Sequence, residues 1–451
     1  MPEFTEHLSR SMRHSQTLRL VTVAILVLLL LIPIGMIRGL VAERQERRAS
    51  AIDEVSSKWG EMQQVVGPYL VVPYTEDIEI TENGRTIVRR VLRHAIFLAD
   101  SLTTKATLES ETRSRGIYSV PVYRMELMTT GQFSRPDLFR YGIEAATIEW
   151  ERVQLVLGIS DTRAIQERTS VRWNGAEVPM MPGSGTYAAT RPGIHAVVGF
   201  ASGVSTISFS LPLSVNGSQG VYFVPFGETS TVELKANHPH PSFQGNWLPT
   251  ERNVGKASFD ARWSIPFLGR SFPQAWSGED KLNFGDIVEK SRFGVDLVNP
   301  VDHYSMAERS VKYAALFILL TFATLWLFEV RAAVRVHPIQ FLMLGGALCL
   351  FYLLLLSISE HMPFLGAYAI ASVAVIGMVV AYGLVVLGTV SRSLAIGSVV
   401  AALYGYLFVL LVNEDYALLI GSIGLFLILG VIMYATRNVD WYSVGSKSDN
   451  K

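Results

Sequence analysis

Six apolar segments dominate the sequence, each close to the length of about 20 residues that a helix needs to cross a bilayer. One lies near the N-terminus, at residues 20–37. The other five follow in close succession near the C-terminus, at residues 313–328, 339–358, 364–390, 394–412 and 416–435. Charged residues make up only 17% of the chain, against about 25% in soluble proteins. The sequence therefore predicts a membrane protein with one helix before, and five after, a long intervening region.

The first apolar segment is interpreted as a retained anchor rather than a cleaved signal peptide. A signal peptide has a shorter apolar core, followed by a cleavage site of small residues. Here the apolar stretch is longer, and Leu40-Val41-Ala42 matches such a site poorly. Among the later segments, residues 364–390 are predicted to form one long helix that tilts or bends at Gly377 or Gly383.

Basic residues in the short connections predict the orientation in the membrane. The connections after the second and fourth segments and the tail carry Lys or Arg, whereas residues 359–361 and 413–415 carry neither. This alternation places both termini in the cytoplasm and the long intervening region outside it. The predicted organisation is a cytoplasmic N-terminus (1–19), an anchor (20–37), an extracytoplasmic β-rich domain (38–310), a five-helix bundle (311–436) and a cytoplasmic tail (437–451).

Short β-branched runs separated by turn signals characterise the intervening region. Asn83-Gly84 and Asn174-Gly175 each lie between such runs, which is the usual pattern of a two-residue hairpin. Ser160-Asp161 is predicted to cap a short helix, and Asn216-Gly217-Ser218, which also matches a glycosylation sequon, is predicted to be a turn. The fold class is therefore an α+β membrane protein whose outer domain is a β-sandwich or a pair of packed sheets.

No catalytic motif stands out in the chain. The sequence lacks the G-x-S-x-G, H-E-x-x-H and P-loop patterns. His238 and His240 are candidate metal ligands, but the prolines beside them favour a structural loop, and the acidic residues at 76–82 favour a solvated sheet edge. We therefore expect no enzyme activity, no metal and no cofactor. The formal net charge of +0 argues against nucleic acid as a partner.

The charged residues of the predicted bundle all lie at helix ends, for example Glu329, Glu360 and Glu414. Coupled transporters usually hold ionisable groups at bilayer depth, because a charge there is costly. The pattern therefore disfavours ion-coupled transport. Gly345-Gly346 and the pair of Gly421 and Gly424 are predicted to be close helix-packing sites.

Nine sequence stretches resemble the CreD family of bacterial inner-membrane proteins over residues 20–442. They are LLLLIPIGMIRGLVAER from Leu28, VVGPYLVVPY from Val65, IYSVPVY from Ile117, NHPHPSFQGNWLP from Asn237, RSVKYAALFILLTF from Arg309, HPIQFLMLGGAL from His337, FYLLLLSISEH from Phe351, YALLIGSIGLF from Tyr416 and TRNVDWY from Thr436. Several of them are polar or rich in Pro and Gly, which makes the resemblance specific. One departure is Phe341, where the family pattern has Tyr.

The resemblance implies an inner-membrane protein with a periplasmic domain, linked to cell-envelope integrity. In better-known members, expression is controlled by a two-component system, and the protein affects tolerance to colicins and the response to β-lactams. The resemblance implies no molecular activity and no catalytic residues. The residues chosen as functional or structural candidates are His238, His240, Trp247, His337, Pro338, Glu360 and His361.

Three functions remain open at this stage. The leading interpretation is a non-enzymatic envelope protein whose periplasmic domain binds a protein, a lipid or a cell-wall component. The second is a transporter or channel for a small or lipidic substrate, with the substrate passing through the five-helix bundle. The third is an envelope enzyme of an unfamiliar type, which would need a pocket holding paired carboxylates or a histidine with a shifted pKa.

Overall fold

The computed structural model describes residues 16–82, 85–139, 147–185, 192–277, 283–298, 303–332 and 336–437. The chain divides into two compact units. The helical unit comprises Met1–Arg48 and Val301–Lys451, and the β unit comprises Ala49–Pro300.

Eight α-helices lie in the described part of the chain. Their bounds are α1 Gln16–Trp59, α2 Phe284–Lys290, α3 His303–Lys312, α4 Ala314–Ala332, α5 Pro338–Ser359, α6 Phe364–Leu387, α7 Val390–Val412 and α8 Ala417–Thr436. Helix α1 begins in the helical unit and ends in the β unit, whereas α2 belongs wholly to the β unit.

Five of these helices, α1, α5, α6, α7 and α8, are each long and apolar enough to cross a membrane. Helices α3 and α4 meet this criterion only together, as a pair bent by 45°. The predicted arrangement of one helix before the β-rich region and several after it is confirmed. The predicted total of six is reached when the bent pair forms one span.

The predicted bounds of the helix at residues 364–390 were wrong at its C-terminal end. Helix α6 ends at Leu387, because Gly388 adopts a left-handed conformation with φ of 68° that terminates a helix. The next helix, α7, begins at Val390, before the predicted start at residue 394. Gly388 therefore terminates the helix, whereas the sequence analysis predicted a bend at Gly377 or Gly383 within a longer helix.

Close contacts at glycine hold the helical unit together. A side chain at Gly345 in α5 would collide with Leu30 of α1 and Phe322 of α4, and one at Gly424 in α8 would collide with the Tyr406 hydroxyl of α7. Two of the four glycines that were predicted to be helix-packing sites are therefore confirmed in that role. In contrast, a β-carbon at Gly346 would have no neighbour within 4 Å, so its predicted packing role was wrong. A β-carbon at Gly421 would meet only Leu410, at an ordinary contact distance of 4.0 Å.

Sixteen β-strands make up most of the β unit. Their bounds are β1 Gln63–Glu82, β2 Arg85–Arg115, β3 Tyr118–Ser134, β4 Gln154–Ile159, β5 Ser170–Trp173, β6 Ala176–Pro179, β7 Met181–Pro182, β8 Gly193–Val197, β9 Thr206–Ser218, β10 Gly220–Val224, β11 Gly227–Ala236, β12 Pro241–Gly245, β13 Glu251–Val254, β14 Phe259–Pro266, β15 Ala275–Ser277 and β16 Phe293–Leu297.

Strand β2 connects two sets of paired strands. Its first half pairs antiparallel with β1, up to the pair of Tyr69 with Leu98. Its second half pairs antiparallel with β3 on one edge and parallel with β11 on the other, where the ladder ends at the pair of Ala236 with Leu108. The main path of hydrogen-bonded neighbours runs β12-β16-β10-β1-β2-β3-β9-β5-β6. The large β-rich domain predicted from the sequence is confirmed.

Local turn predictions had mixed outcomes. Asn174 and Gly175, with φ of 48° and 84°, join β5 to β6 as predicted for a two-residue hairpin. Asn83 and Gly84 lie outside the described residues. Asn216-Gly217-Ser218 was wrongly predicted to be a turn, because it forms the buried end of β9, where Gly217 lies against the Tyr123 ring. Glycine permits that close approach of ring and backbone.

Candidate functional site

The C-terminal end of α1 packs on the hairpin formed by β2 and β3. Trp59 donates its indole N–H to the Tyr123 carbonyl oxygen at 3.2 Å. The Arg113 guanidinium carbon lies 3.6 Å from the centroid of the Trp59 ring, within the range of a cation–π contact. Glu54 pairs with Arg115 at 3.0 Å. These contacts fix one face of Trp59 against the hairpin.

Asn237 directly follows the last residue of β11, Ala236, and its side chain bonds the edge of β2 at the next position. The Ser110 backbone N–H donates to Asn237 Oδ1 at 2.5 Å, and Asn237 Nδ2 donates to the Ser110 carbonyl oxygen at 3.4 Å. The Ser110 hydroxyl also donates to the Asn237 carbonyl oxygen at 3.1 Å. Asn237 therefore satisfies both backbone groups of Ser110 after the regular ladder has ended.

His238 and His240 belong to the Pro-rich connection between β11 and β12. His238 Nε2 lies 3.2 Å from the Val298 carbonyl oxygen, and the Val298 N–H donates to the His240 carbonyl oxygen at 3.3 Å. Burial lowers the pKa of His238, and the neighbouring His240 lowers it further. The two rings are 6.5 Å apart. Within the described ranges, no group of three or more His, Cys, Asp or Glu side chains is suitable for a metal ion.

A groove of about 620 Å³ opens beside Trp59, over the strands β2, β3, β11 and β14. Three acidic and three basic side chains line it together with Trp59, and we call it the charged groove. The six charged residues are Glu109, Glu111, Arg113, Arg124, Lys235 and Asp260. Lys235 and Asp260, which face each other on β11 and β14, are 3.8 Å apart.

The sequence did not reveal the charged groove. Its residues come from four strands that are distant in sequence, and alternating charges on a strand look like any solvated face. The only local signal was the NHPHP segment that ends β11. That segment was singled out for its histidines, whereas Asn237 is the residue of the segment that lines the groove.

A buried carboxylate anchors the short segment between α1 and β1. Asp161 is 5% exposed and accepts hydrogen bonds from the Glu61 N–H at 3.2 Å and from Arg163 Nε at 2.9 Å. Burial alone would raise the pKa of Asp161, but the hydrogen bonds from Arg163 and Glu61 outweigh it and hold the pKa below its usual value. Nearby, Gln63 donates to the Asn216 carbonyl oxygen at 2.9 Å. These contacts tie the segment after α1 to β4 and β9.

Trp247 is partly buried and packs against the core of the β unit. Its carbonyl oxygen accepts a hydrogen bond from Trp263 Nε1 at 3.1 Å. Its ring meets the Phe293 ring edge-to-face at 6.0 Å between centroids. These contacts give Trp247 a packing role.

His337 and Pro338 form the start of α5. His337 Nδ1 accepts a hydrogen bond from the Ile339 N–H at 3.3 Å, and Gln340 Oε1 accepts one from the His337 N–H at 2.8 Å. This reciprocal arrangement is a capping box. Pro338 is the first helical residue, where a missing N–H costs no intrahelical hydrogen bond.

Glu360 lies at the C-terminal end of α5 and joins three helices of the helical unit. Its Oε1 accepts a hydrogen bond from the Tyr304 hydroxyl of α3 at 3.1 Å and lies 3.6 Å from Arg44 Nε of α1. Its side chain is only 10% exposed. The neighbouring His361 donates its backbone N–H to the Ile358 carbonyl oxygen at 3.0 Å and is exposed. These contacts make Glu360 a junction of the bundle and give His361 a turn position.

Aromatic side chains form a buried cluster inside the helical unit. The Tyr368 hydroxyl donates to the Tyr404 carbonyl oxygen at 2.6 Å, and the Phe351 ring stacks on the Tyr404 ring at 4.2 Å. Tyr352 and Tyr404 are 2% and 3% exposed. The Tyr404 hydroxyl has no hydrogen-bond partner among the residues that the structure describes. This cluster joins the three helices α5, α6 and α7 in the interior of the helical unit.

Comparison with known proteins agrees with this architecture. The family model for the inner membrane protein CreD matches residues 15–442. The chain is 31% identical over 420 residues to the inner membrane protein CreD of Escherichia coli (strain K12), and the match covers 92% of each chain.

Solved structures resemble this chain only weakly. An M1 zinc metallopeptidase from Deinococcus radiodurans is 11% identical, with 38% of this chain and 40% of that chain covered and a TM-score of 0.20. Native yeast LTA4 hydrolase is 10% identical, with 50% and 35% covered and a TM-score of 0.22. Scores this low support no argument about fold or activity. The family match and the relative over nearly the whole length show that this chain belongs to the CreD family of inner membrane proteins.

Proposed function

We propose that this protein contributes to cell-envelope integrity without enzyme activity, by binding a protein, a lipid or a cell-wall component through the charged groove. The observation that carries the proposal is the groove itself. Six charged side chains from four strands converge there around Trp59, at the point where β11 leaves the edge of β2. Binding sites are commonly concave and carry a few placed polar groups.

The proposal includes an orientation in which the β unit lies in the periplasm and both termini lie in the cytoplasm. The distribution of basic residues in the short connections supports it, because positively charged loops remain preferentially on the cytoplasmic side. In this orientation the charged groove faces the compartment that contains the cell wall and the periplasmic proteins.

Site-specific photo-crosslinking in intact cells tests the proposal. A photoreactive phenylalanine analogue replaces Thr107, an uncharged residue that lines the groove on β2, and the control carries it at Thr206 on β9, outside the groove. Both threonines are exposed, and neither replacement removes a charge from the groove. We expect a discrete adduct from position 107 and none from position 206. Absence of an adduct at 107, or equal adducts at both positions, would contradict binding in the groove.

The alternative function is a transporter or channel for a small or lipidic substrate. Two observations favour it: the buried Tyr404 hydroxyl without a described partner, and an apolar cavity of about 590 Å³ lined by α4, α7 and α8. Against it, Glu329 is buried near the end of α4 rather than at its middle, and accepts the Val336 N–H at 2.8 Å.

A conservative variant separates the two functions. Tyr404→Phe removes only the hydroxyl, and the photo-crosslink at position 107 serves as the second readout. Under the binding proposal, Tyr404→Phe keeps the adduct and leaves the envelope phenotype, measured as colicin tolerance and the response to β-lactams, unchanged. Loss of the phenotype with the adduct retained would favour transport through the helical unit.

A further inference from the structure

We propose that the free edge of β2 beyond Asn237 binds an extended polypeptide segment of a partner protein, which adds to the sheet as a further strand. This inference rests on the proposed function, because it names the class of partner that the charged groove takes. The docking edge consists of the backbone groups of Thr112 and Ser114.

The alternation of backbone groups along β2 identifies this edge. Both backbone groups of Ser110 point toward the β11 side, because both bond to the Asn237 side chain. Groups of every second residue along a strand share an edge, so the N–H and C=O of Thr112 and Ser114 point the same way. Thr112 faces Pro121 of β3, which has no N–H to offer. The backbone groups of Thr112 are therefore directed away from β3.

No described strand covers this edge. The ladder between β11 and β2 ends at Leu108, and β2 pairs beyond that residue only with β3 among the described strands. Residues 111–117 are exposed. Unpaired strand edges of this kind are templates for pairing with another chain.

The Asn-His-Pro-His-Pro segment explains why the edge is open. Asn237 closes the ladder with its side chain, and the contacts of His238 and His240 with Val298 hold the following chain beside β16. Pro239 and Pro241 cannot donate backbone hydrogen bonds, so the segment does not continue as a strand along β2. A segment from outside can take the position that β11 vacates.

The chemistry of the surroundings favours a polypeptide over a lipid or a glycan. The edge offers backbone donors and acceptors at strand spacing, which an extended peptide matches and the other two do not. The adjoining groove carries equal numbers of acidic and basic side chains, which complements a chain bearing both signs. Arg113 already covers one face of Trp59, which leaves that face unavailable for stacking on a sugar.

The structure provides a matched pair of variants for the test. Thr112→Pro removes the edge N–H but breaks no hydrogen bond to β3, because Thr112 faces Pro121 in a pair without hydrogen bonds. Thr112→Val keeps the N–H at the same position. Ser114→Pro and Ser114→Val repeat the comparison one position along the same edge, in case one proline variant fails to fold.

The experiment selects binders from a displayed library of random linear peptides, using the full chain in lipid nanodiscs, with empty nanodiscs as the background. We expect enriched peptides that bind the wild-type and Val forms equally. Their affinity for the Pro forms should fall by about tenfold, because the proline removes one backbone hydrogen bond and its ring crowds the bound peptide.

The outcomes distinguish this inference from the function on which it rests. Peptides that bind the Pro and Val forms equally, but are lost in Lys235→Glu, would overturn the edge pairing and leave binding in the groove intact. Absence of any enrichment over empty nanodiscs would also overturn the inference. In that case the photo-crosslink at position 107 still decides whether the groove binds another class of partner.

Discussion

Replacing Asp161 with Ala should loosen the segment that follows α1. The carboxylate is 5% exposed and accepts hydrogen bonds from the Glu61 N–H and from Arg163. Removing it leaves a partly buried N–H without its acceptor, which costs about 1–3 kcal/mol. The ion pair itself adds little, because the Arg163 side chain is 67% exposed and screened by solvent. We therefore expect local destabilisation of about 2 kcal/mol.

Hydrogen exchange of the full chain in nanodiscs measures this effect locally, which is necessary because a protein of two units need not unfold in one step. A change of about 2 kcal/mol corresponds to about 30-fold faster exchange. We expect this acceleration in peptides covering residues 60–66 and 155–165. The control is Asp77→Ala, which removes an exposed pair with Arg90 and should leave those peptides unchanged. Unchanged exchange of these peptides in Asp161→Ala would contradict the anchoring role of the carboxylate.

The same carboxylate predicts a pH dependence with a definite sign. Its pKa is lower in the folded chain than in the unfolded chain, where it is about 3.9. The contribution of this carboxylate to stability is therefore fully present above its pKa in the unfolded chain. It is lost as the pH falls through its pKa in the folded chain. Protection of residues 60–66, corrected for intrinsic exchange, should decline in acid for the wild type. Asp161→Asn should show no such decline of protection in acid. Identical pH profiles of the wild type and Asp161→Asn would contradict the assignment of the decline to the Asp161 carboxylate.

Two further predictions concern the helical unit. Gly345→Val should destabilise the bundle by about 1–3 kcal/mol, because the added side chain meets Leu30 and Phe322. The control Gly346→Val should change the stability little. Thermal unfolding in nanodiscs compares the two variants, and equal midpoints would contradict the close packing at Gly345. His337→Ala should destabilise the start of α5 by about 1 kcal/mol, because the helix loses its cap. The control His361→Ala changes an exposed residue and should have no such effect. We expect faster hydrogen exchange at residues 338–341 in His337→Ala alone, and equal exchange in both variants would contradict the capping role.

Hydrophobic patterning predicted the large elements of the fold well. Apolar length alone located α5 and α8, because a bilayer imposes a length on a spanning helix. Asn174-Gly175 predicted a hairpin correctly, because few other dipeptides adopt positive φ at both turn positions. Local chemistry was sufficient for these elements.

Two elements were predicted less well. Gly388 ends α6 through a left-handed backbone conformation, a local signal that was overlooked because the apolar pattern continues beyond it. Asn216-Gly217-Ser218 resembles a turn, but packing of Tyr123 against Gly217 and burial of Ser218 keep it in a strand. Tertiary packing overrides local preference at such positions.

The candidate residues show the same division. His337 and Pro338 were chosen from a motif that the structure explains as a helix cap. The charged groove was not predicted, because Glu109, Arg124 and Asp260 become neighbours only through the pairing order of β2, β3, β11 and β14. Pairing order depends on contacts between strands distant in sequence, which a single sequence does not specify.

A charge-swap experiment tests binding through the groove most directly. Lys235→Asp with Asp260→Lys reverses the charges of a facing pair in the groove while preserving their attraction. The control swap, Arg172→Glu with Glu177→Arg, does the same for a facing pair on β5 and β6. Proteins and lipids that co-purify with each full chain from native membranes are then quantified by mass spectrometry. We expect a specific partner that is recovered with the wild type and the control swap and is lost with the groove swap. Equal recovery with both swaps would contradict binding through the groove.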